Sequence, residues 1–499
     1  MALRAMPGTS EILTNLFEPK SIALIGASKS PTKWGFLILM NLTLGGYKGN
    51  IYPVNPKETE ILGLKAYPSI SDIPGHADLV VIAVPATHVA QVIRECKGKA
   101  KIALVITAGF GELGPGEKKM EDDVVRAARE NGIRVVGPNC NGAMCSNPAC
   151  MYALMPSYFP RPNTLSMASQ SGNVGGIMLR MSVLRNCGFG KYVSTGNEAD
   201  LHVEDYFDYF LNDPATDVIL SYVEGPRDGK KLMQVARAVT PHKPIVMIKG
   251  GRTPAGSIAA NSHTGSLAGA DTVFSAMCKQ SGIILVNDID ELFDVGLALK
   301  RQPLPRGNRV AILTTGGGLG VLCADVCHSI GLEVVSLKSE TIKRLDSVLP
   351  PWWNRGNPVD LVAGLTRSSV TGCLDALARA DEVDCILALG MGFGSARAKL
   401  LKDTSLYQDP DVKKMCERSI EEDMNSARAV IECIDKFNKP VLVVSEAAVL
   451  SKEDRKGSLE LLESNGVFPY PSFVRAARVM KCLVERQRFL RAEGSGLHT

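Results

Sequence analysis

Ser21-Ile22-Ala23-Leu24-Ile25-Gly26-Ala27-Ser28 joins an apolar run of strand length to a turn of small residues, and a helical pattern over 35–44 follows it. An apolar run that ends in glycine and opens into a helix reads as the first half of a βαβ unit. A turn of such small residues lets the backbone approach a phosphate at the helix N-terminus. Gly26 and Ser28 are therefore candidate phosphate contacts, and a turn with no ligand is the plainer alternative.

Outward from this stretch the alternation continues. Strands are expected over 49–54, 79–84, 102–107 and 133–136, with a helix over 89–97. Proline-rich, weakly periodic sequence over 140–163 reads as a crossing between domains. A second series has strands over 164–168, 192–194, 218–223, 245–249 and 283–286, closed by a helix over 291–299. After the linker Gln302-Pro303-Leu304-Pro305-Arg306-Gly307, a third series begins at 309–314 with the loop Gly316-Gly317-Gly318-Leu319-Gly320. Its later strands are expected over 333–336, 385–389 and 441–444, and its last helix over 472–488. Strands alternating with helices mean parallel sheets with helical crossovers. The expected fold is α/β, with three doubly wound units in series over 1–145, 146–302 and 308–499.

Composition agrees and narrows the function. A chain of 499 residues is too long for one compact domain, and 45% hydrophobic against 22% charged residues excludes wholesale disorder. The net charge of +4, from 56 basic and 52 acidic residues, argues against a large nucleic-acid surface, and 6% aromatics disfavours stacking on single strands. No run approaches the roughly 20 apolar residues of a membrane helix. The first ten residues lack a signal-peptide core, so no membrane role and a cytoplasmic location are expected. The 13 cysteines are then reduced thiols. Neither Cys140, Cys145 and Cys150 nor the pair Cys323 and Cys327 has the spacing of a zinc site, so no metal is expected.

The second strand ends in Pro53-Val54-Asn55-Pro56-Lys57, where an NAD site requires an acidic residue for the ribose. Lysine there suits a phosphorylated ribose and weakens a dehydrogenase reading. The literal GxGxxG, Gly109 to Gly114, follows the fourth strand and runs into Pro115, which gives it a loop role or none. Ser169-Gln170-Ser171-Gly172 stands between a strand and a helix, as an anion cradle or a simple cap would. Asn261-Ser262-His263-Thr264-Gly265-Ser266-Leu267-Ala268-Gly269 gives His263 little apolar surface to pack on, and histidine can carry a covalent intermediate. Glu224 closes a strand at the end that faces the ligand crevice, where a carboxylate could stabilise a charged histidine or merely be solvated. His76, His88, His242, His328 and His498 have no such context.

Together with Val84-Pro85-Ala86, Thr107-Ala108-Gly109-Phe110, Gly137-Pro138-Asn139-Cys140 and Asn357-Pro358-Val359-Asp360-Leu361, these motifs resemble the α subunit of ADP-forming acyl-CoA synthetases over nearly the whole chain. The shorter α subunit of succinyl-CoA synthetase is similar to the first two units. The resemblance implies a Rossmann-like CoA-binding domain followed by two flavodoxin-like CoA-ligase domains. It implies that acyl-CoA, phosphate and ADP are interconverted with free acid, CoA and ATP through an acyl phosphate and a phosphohistidine. His263 and Glu224 match the family's catalytic residues, and Ser169, Gln170, Ser171 and Gly172 its phosphate-binding helix start. Gly26, Ser28, Lys29, Asn55, Lys57, Val84, Pro85, Thr107, Ala108, Gly109 and Asn139 fall on its CoA site. Where the family commonly has Leu-Gly, this chain has Asn141-Gly142, a departure at the acyl or thiol pocket. No Walker A pattern occurs in the chain. The resemblance implies that Mg–ADP or Mg–ATP is held by an ATP-grasp β subunit, in an α₂β₂ assembly. The competing expectation is a non-catalytic CoA-binding sensor on the same units, which needs neither His263, Glu224 nor the serine cradle.

Overall fold

Ser21–Ile25 (β1) is buried along its whole length, as a strand covered by helices on both faces must be. The computed structural model describes residues 9–258, 271–361, 367–450 and 455–494. The chain forms two compact units, Met1–Leu292 and Phe293–Thr499.

The first unit holds two large sheets. β1 pairs in parallel with Asn50–Val54 (β2) and Leu79–Ile82 (β5), and the sheet continues through Ile102–Val105 (β6) to Arg134–Val136 (β7). Glu60–Ile61 (β3) and Leu64–Lys65 (β4) make a small antiparallel hairpin apart from it. The segment expected as a domain crossing is instead structured. Gly142–Cys145 (β8) and Met151–Leu154 (β9) form an antiparallel pair on the edge of the second sheet. Both strands are buried along their whole length, in a segment whose prolines and weak periodicity masked them. The second sheet is otherwise parallel: Leu165–Ser169 (β10) lies between Lys191–Ser194 (β11) and Val218–Val223 (β12), followed by Ile245–Lys249 (β13) and Ile284–Val286 (β14). One continuous apolar core spans both sheets, from Leu24, Val81 and Leu104 through Leu13 and Phe17 to Tyr206, Phe207 and Ile219. The two crevices described below are thus carried on one packed base.

In the second unit Arg309–Thr314 (β15) pairs with Glu333–Val334 (β16), Val359–Asp360 (β17) and Cys385–Leu389 (β18), and β18 pairs with Val441–Val444 (β19), all in parallel. Asn357 stitches this sheet: its Oδ1 accepts from the Ile312 amide, and its Nδ2 donates to the carbonyls of Val310 and Val335. The 28-residue helix Pro410–Phe437, absent from the sequence reading, starts on Asp409 as N-cap with proline in its first turn. No helix among the described residues is long and apolar enough to cross a membrane.

Candidate active site

In each sheet of the first unit the chain reverses its order beside the first parallel strand. In the first sheet that switch point lies between β1 and β5, where ligands of doubly wound folds bind at the C-terminal strand ends. Gly26 follows β1 with φ 93. A side chain at Gly26 would strike the carbonyl of Ala83, and one at Gly35 the carbonyl of Gly26. Only glycines let this turn and the helix Trp34–Leu44 come so close.

Around the crevice the expected contacts divide by what their side chains already do. Asn55 donates to the Ala27 carbonyl at 2.7 Å and accepts from the Lys57 amide at 2.8 Å, so it braces two loops against each other. Thr107 likewise donates to the Val84 carbonyl at 2.6 Å. Lys29 is paired with Glu58 at 2.7 Å in an exposed setting. The Lys57 ammonium is exposed and has no partner among the described residues. Ala108 and Pro85 are exposed, and Val84 and Gly109 half-buried, at the same strand ends. Asn139, with φ 58, bonds the Thr107 carbonyl through its amide and Asn197 through its side chain.

The GxGxxG loop has a structural use that spacing alone did not show. Glu112 accepts from the Gly109 amide and from Asn197 Nδ2, each at 2.5 Å. Glu121 accepts from the same Asn197 nitrogen at 2.7 Å. Burial pushes the Glu112 carboxyl up, but the hydrogen bonds from Asn197 and Gly109 outweigh it and hold the group below its ordinary value.

The second sheet's switch point lies between β10 and β12. Ser171 caps the helix Gly172–Leu184, accepting from the Val174 amide, while Ser169 donates to the Ser171 carbonyl at 2.7 Å. The amides of Gly172 and Asn173 have no acceptor among the described residues. Unbonded amides at a helix N-terminus are the kind of group to which an anion can bond. Asn141 lies directly against this cradle, since a methyl group at Gly172 would collide with its carboxamide.

The Gln170 side chain bonds protein groups on both sides. Its Oε1 accepts from the Glu224 amide at 2.6 Å, and its Nε2 donates to the Gly225 carbonyl at 3.0 Å and to Glu198 Oε2 at 2.9 Å. Glu224 is buried at the end of β12, with Tyr222 Oη donating to its Oε1 at 3.4 Å and Gly250 packed on its stem. Burial, and then the Glu224 charge, pushes the Tyr222 phenol up to about 12, so it stays a donor. His263 and its loop lie outside the described residues.

Two groups escaped the sequence reading. Glu198 is buried in a left-handed turn at φ 52, and Thr195 Oγ1 donates to it at 2.8 Å. Burial is the main cause that lifts its carboxyl to about 7. His202, at the start of the helix Val203–Asn212, is raised chiefly by its hydrogen bond to the fully buried Glu204. Nothing in the spacing signals that Glu198 meets Gln170, 28 positions away.

Two parallel-sheet crevices on one base, one lined by glycine turns and the other by a serine-capped helix start beside a buried carboxylate, define a CoA ligase of the succinyl-CoA ligase type. Family models agree in series: a CoA binding domain over 20–146, a succinyl-CoA ligase like flavodoxin domain over 162–299, and a Ligase-CoA domain over 310–392. The chain is 39% identical over 477 residues to the acetate–CoA ligase (ADP-forming) I subunit alpha of Pyrococcus furiosus, covering 94% of this chain and 97% of that one. It is 37% identical to the II subunit alpha of the same organism, over 93% and 96% of the two chains. A solved structure of the dinucleotide forming acetyl-coenzyme A synthetase 1 of Ca. Korarchaeum cryptofilum, in complex with phosphate and ADP, superposes with a TM-score of 0.83 at 33% identity, over 98% of this chain and 99% of that one. The chain belongs to the family of ADP-forming acetate–CoA ligase α subunits.

Proposed function

We propose that this chain is the CoA-binding and phosphohistidine-carrying subunit of an ADP-forming acyl-CoA synthetase of the cytoplasm. The observation that carries the proposal is the pairing of an open helix N-terminus at Gly172 with the buried, backbone-clamped Glu224 across one switch point. Orthophosphate attacks the thioester carbonyl, the C–S bond breaks, and CoA leaves as acyl phosphate forms. A nitrogen of His263 then takes the phosphoryl group, and the carboxylate of the free acid departs. The Gly172 and Asn173 amides bind the phosphate oxygens, where oriented dipoles lower the cost of charge that develops in transfer. Glu224 stabilises the positive charge on the imidazole. Lys57 and the Gly26 turn hold CoA phosphates at the first crevice. The phosphoryl group passes to Mg–ADP on an ATP-grasp partner in an α₂β₂ assembly, and the reverse sequence ligates acid to CoA.

Labelled orthophosphate with acetyl-CoA tests this directly. Acid-labile, base-stable label is expected on His263 and none in His263→Asn. Acid-stable label on a serine, or undiminished label in the variant, overturns the assignment.

A further inference from the structure

Glu198 is a carboxylate that the proposed chemistry does not use, yet it is buried, left-handed in φ and bonded to the residue that clamps Glu224. Gln170 is held at both ends of its amide. Its oxygen faces the amides of Glu224 and Gly225, at 2.6 and 3.4 Å, and its nitrogen faces the Gly225 carbonyl and Glu198. Were the amide reversed, its oxygen would meet a carbonyl and a carboxylate together, and the Glu224 amide would lose its acceptor. A charged acceptor bonds the Gln170 nitrogen about twice as strongly as a neutral one. Resting on the roles given above to Glu224 and His263, we infer that Glu198 is a positioning residue for phosphoryl transfer: its carboxylate fixes the Gln170 amide, which in turn fixes the backbone of Glu224 and Gly225.

The surroundings fit a group kept for function. Thr195 and Gln170 donate to Glu198. Of the charged neighbours, Glu204 opposes its ionisation and His202 favours it. Beyond them, Lys231 pairs with Asp205 and approaches Glu204, and Arg227 donates to the adjacent Asn197 carbonyl. The balance leaves the carboxyl near 7, so the charged form has to be held against burial at neutral pH. A glutamine here would keep the size and an acceptor while removing the charge.

The test compares single-turnover labelling of His263 by phosphate and acetyl-CoA in the wild-type chain, Glu198→Gln and Glu198→Leu, across pH 6 to 8. Titration of phosphate and of His263 cancels in the ratio of wild-type to Glu198→Gln rates. That ratio is expected near one at pH 6 and roughly ten-fold at pH 8. Glu198→Gln should also melt higher at pH 8, whereas a merely structural residue would lose rate and stability together. A flat ratio, or a parallel loss of stability, overturns the role of Glu198. Absence of label in the wild-type chain overturns the functional reading instead. Hydrogen exchange at the Glu224 and Gly225 amides reads the positioning without any chemistry. It should be faster in Glu198→Leu than in wild type at equal pH, and unchanged exchange overturns the inference.

Discussion

Asn197 Nδ2 donates to Glu121 Oε2 at 2.7 Å, tying the turn after β11 to the helix Pro115–Glu130 beneath the first sheet. The same nitrogen reaches Glu112, and the Asn197 side-chain oxygen accepts from Asn139. One buried amide therefore joins the loops of both crevices, and Glu198 is its neighbour in the chain.

Removing that amide should destabilise the first unit. Asn197→Ala leaves the buried Glu121 carboxylate short of a donor, at a cost of about 1–3 kcal/mol. Asn197→Asp should be worse at neutral pH, because it sets a third carboxylate against Glu112 and Glu121, and should recover as the medium is acidified. Urea melts at pH 5 and pH 7.5 check both; equal stability of the two variants at both values contradicts the account.

Glu198→Gln should stabilise the protein in a pH-dependent way. With the folded carboxyl at about 7 and its ordinary value at 4.5, the unfolded chain loses this proton first. Stability is then lost as pH rises from roughly 4.5 to 7 and stays level above. The glutamine escapes that loss, so its advantage should grow across this window to about 3 kcal/mol. An advantage independent of pH would mean that Glu198 ionises normally.

Glu224→Gln should leave CoA affinity nearly unchanged and slow labelling of His263 by roughly 10²–10³-fold, the usual weight of electrostatic help in a shielded site. The backbone clamp from Gln170 does not depend on the carboxylate and should survive. Collapse of CoA binding together with labelling would make Glu224 a structural residue.

Lys57→Ala should weaken CoA by roughly ten-fold or more, since a charge-assisted contact contributes about 1.5–3 kcal/mol. Lys29→Ala should matter less, because that ammonium is already paired with Glu58. CoA without its 3′-phosphate is the control ligand in calorimetry: equal weakening of both ligands by Lys57→Ala would show that Lys57 does not read that phosphate.

Without a partner the chain should accumulate at most one phosphoryl group and release CoA in a stoichiometric burst. Adding a matched ATP-grasp subunit with Mg–ADP should turn the burst into steady turnover. Sustained ATP synthesis by this chain alone, with contaminating subunits excluded by mass spectrometry, would refute the division of labour.

The sequence by itself determined most of the strands and which residues stand at their ends. Ser21–Ile25, Val218–Val223, Ile245–Lys249, Arg309–Thr314 and Cys385–Leu389 are read to the residue, because buried parallel strands are apolar runs bounded by turns. That Ser169–Gly172, Glu224 and the small-residue turn after β1 stand at C-terminal strand ends was legible for the same reason, and doubly wound folds bind ligands at those ends. Only the tertiary structure decided which side chains remain available to a ligand. The side chains of Asn55, Thr107 and Gln170 each bond a loop distant in sequence, whereas that of Lys57 bonds nothing among the described residues. Glu198 was invisible for the complementary reason. Its burial, its left-handed turn and its raised carboxyl come from elements brought together by the sheet, and a one-dimensional pattern records spacing along the chain but not the neighbours that packing supplies.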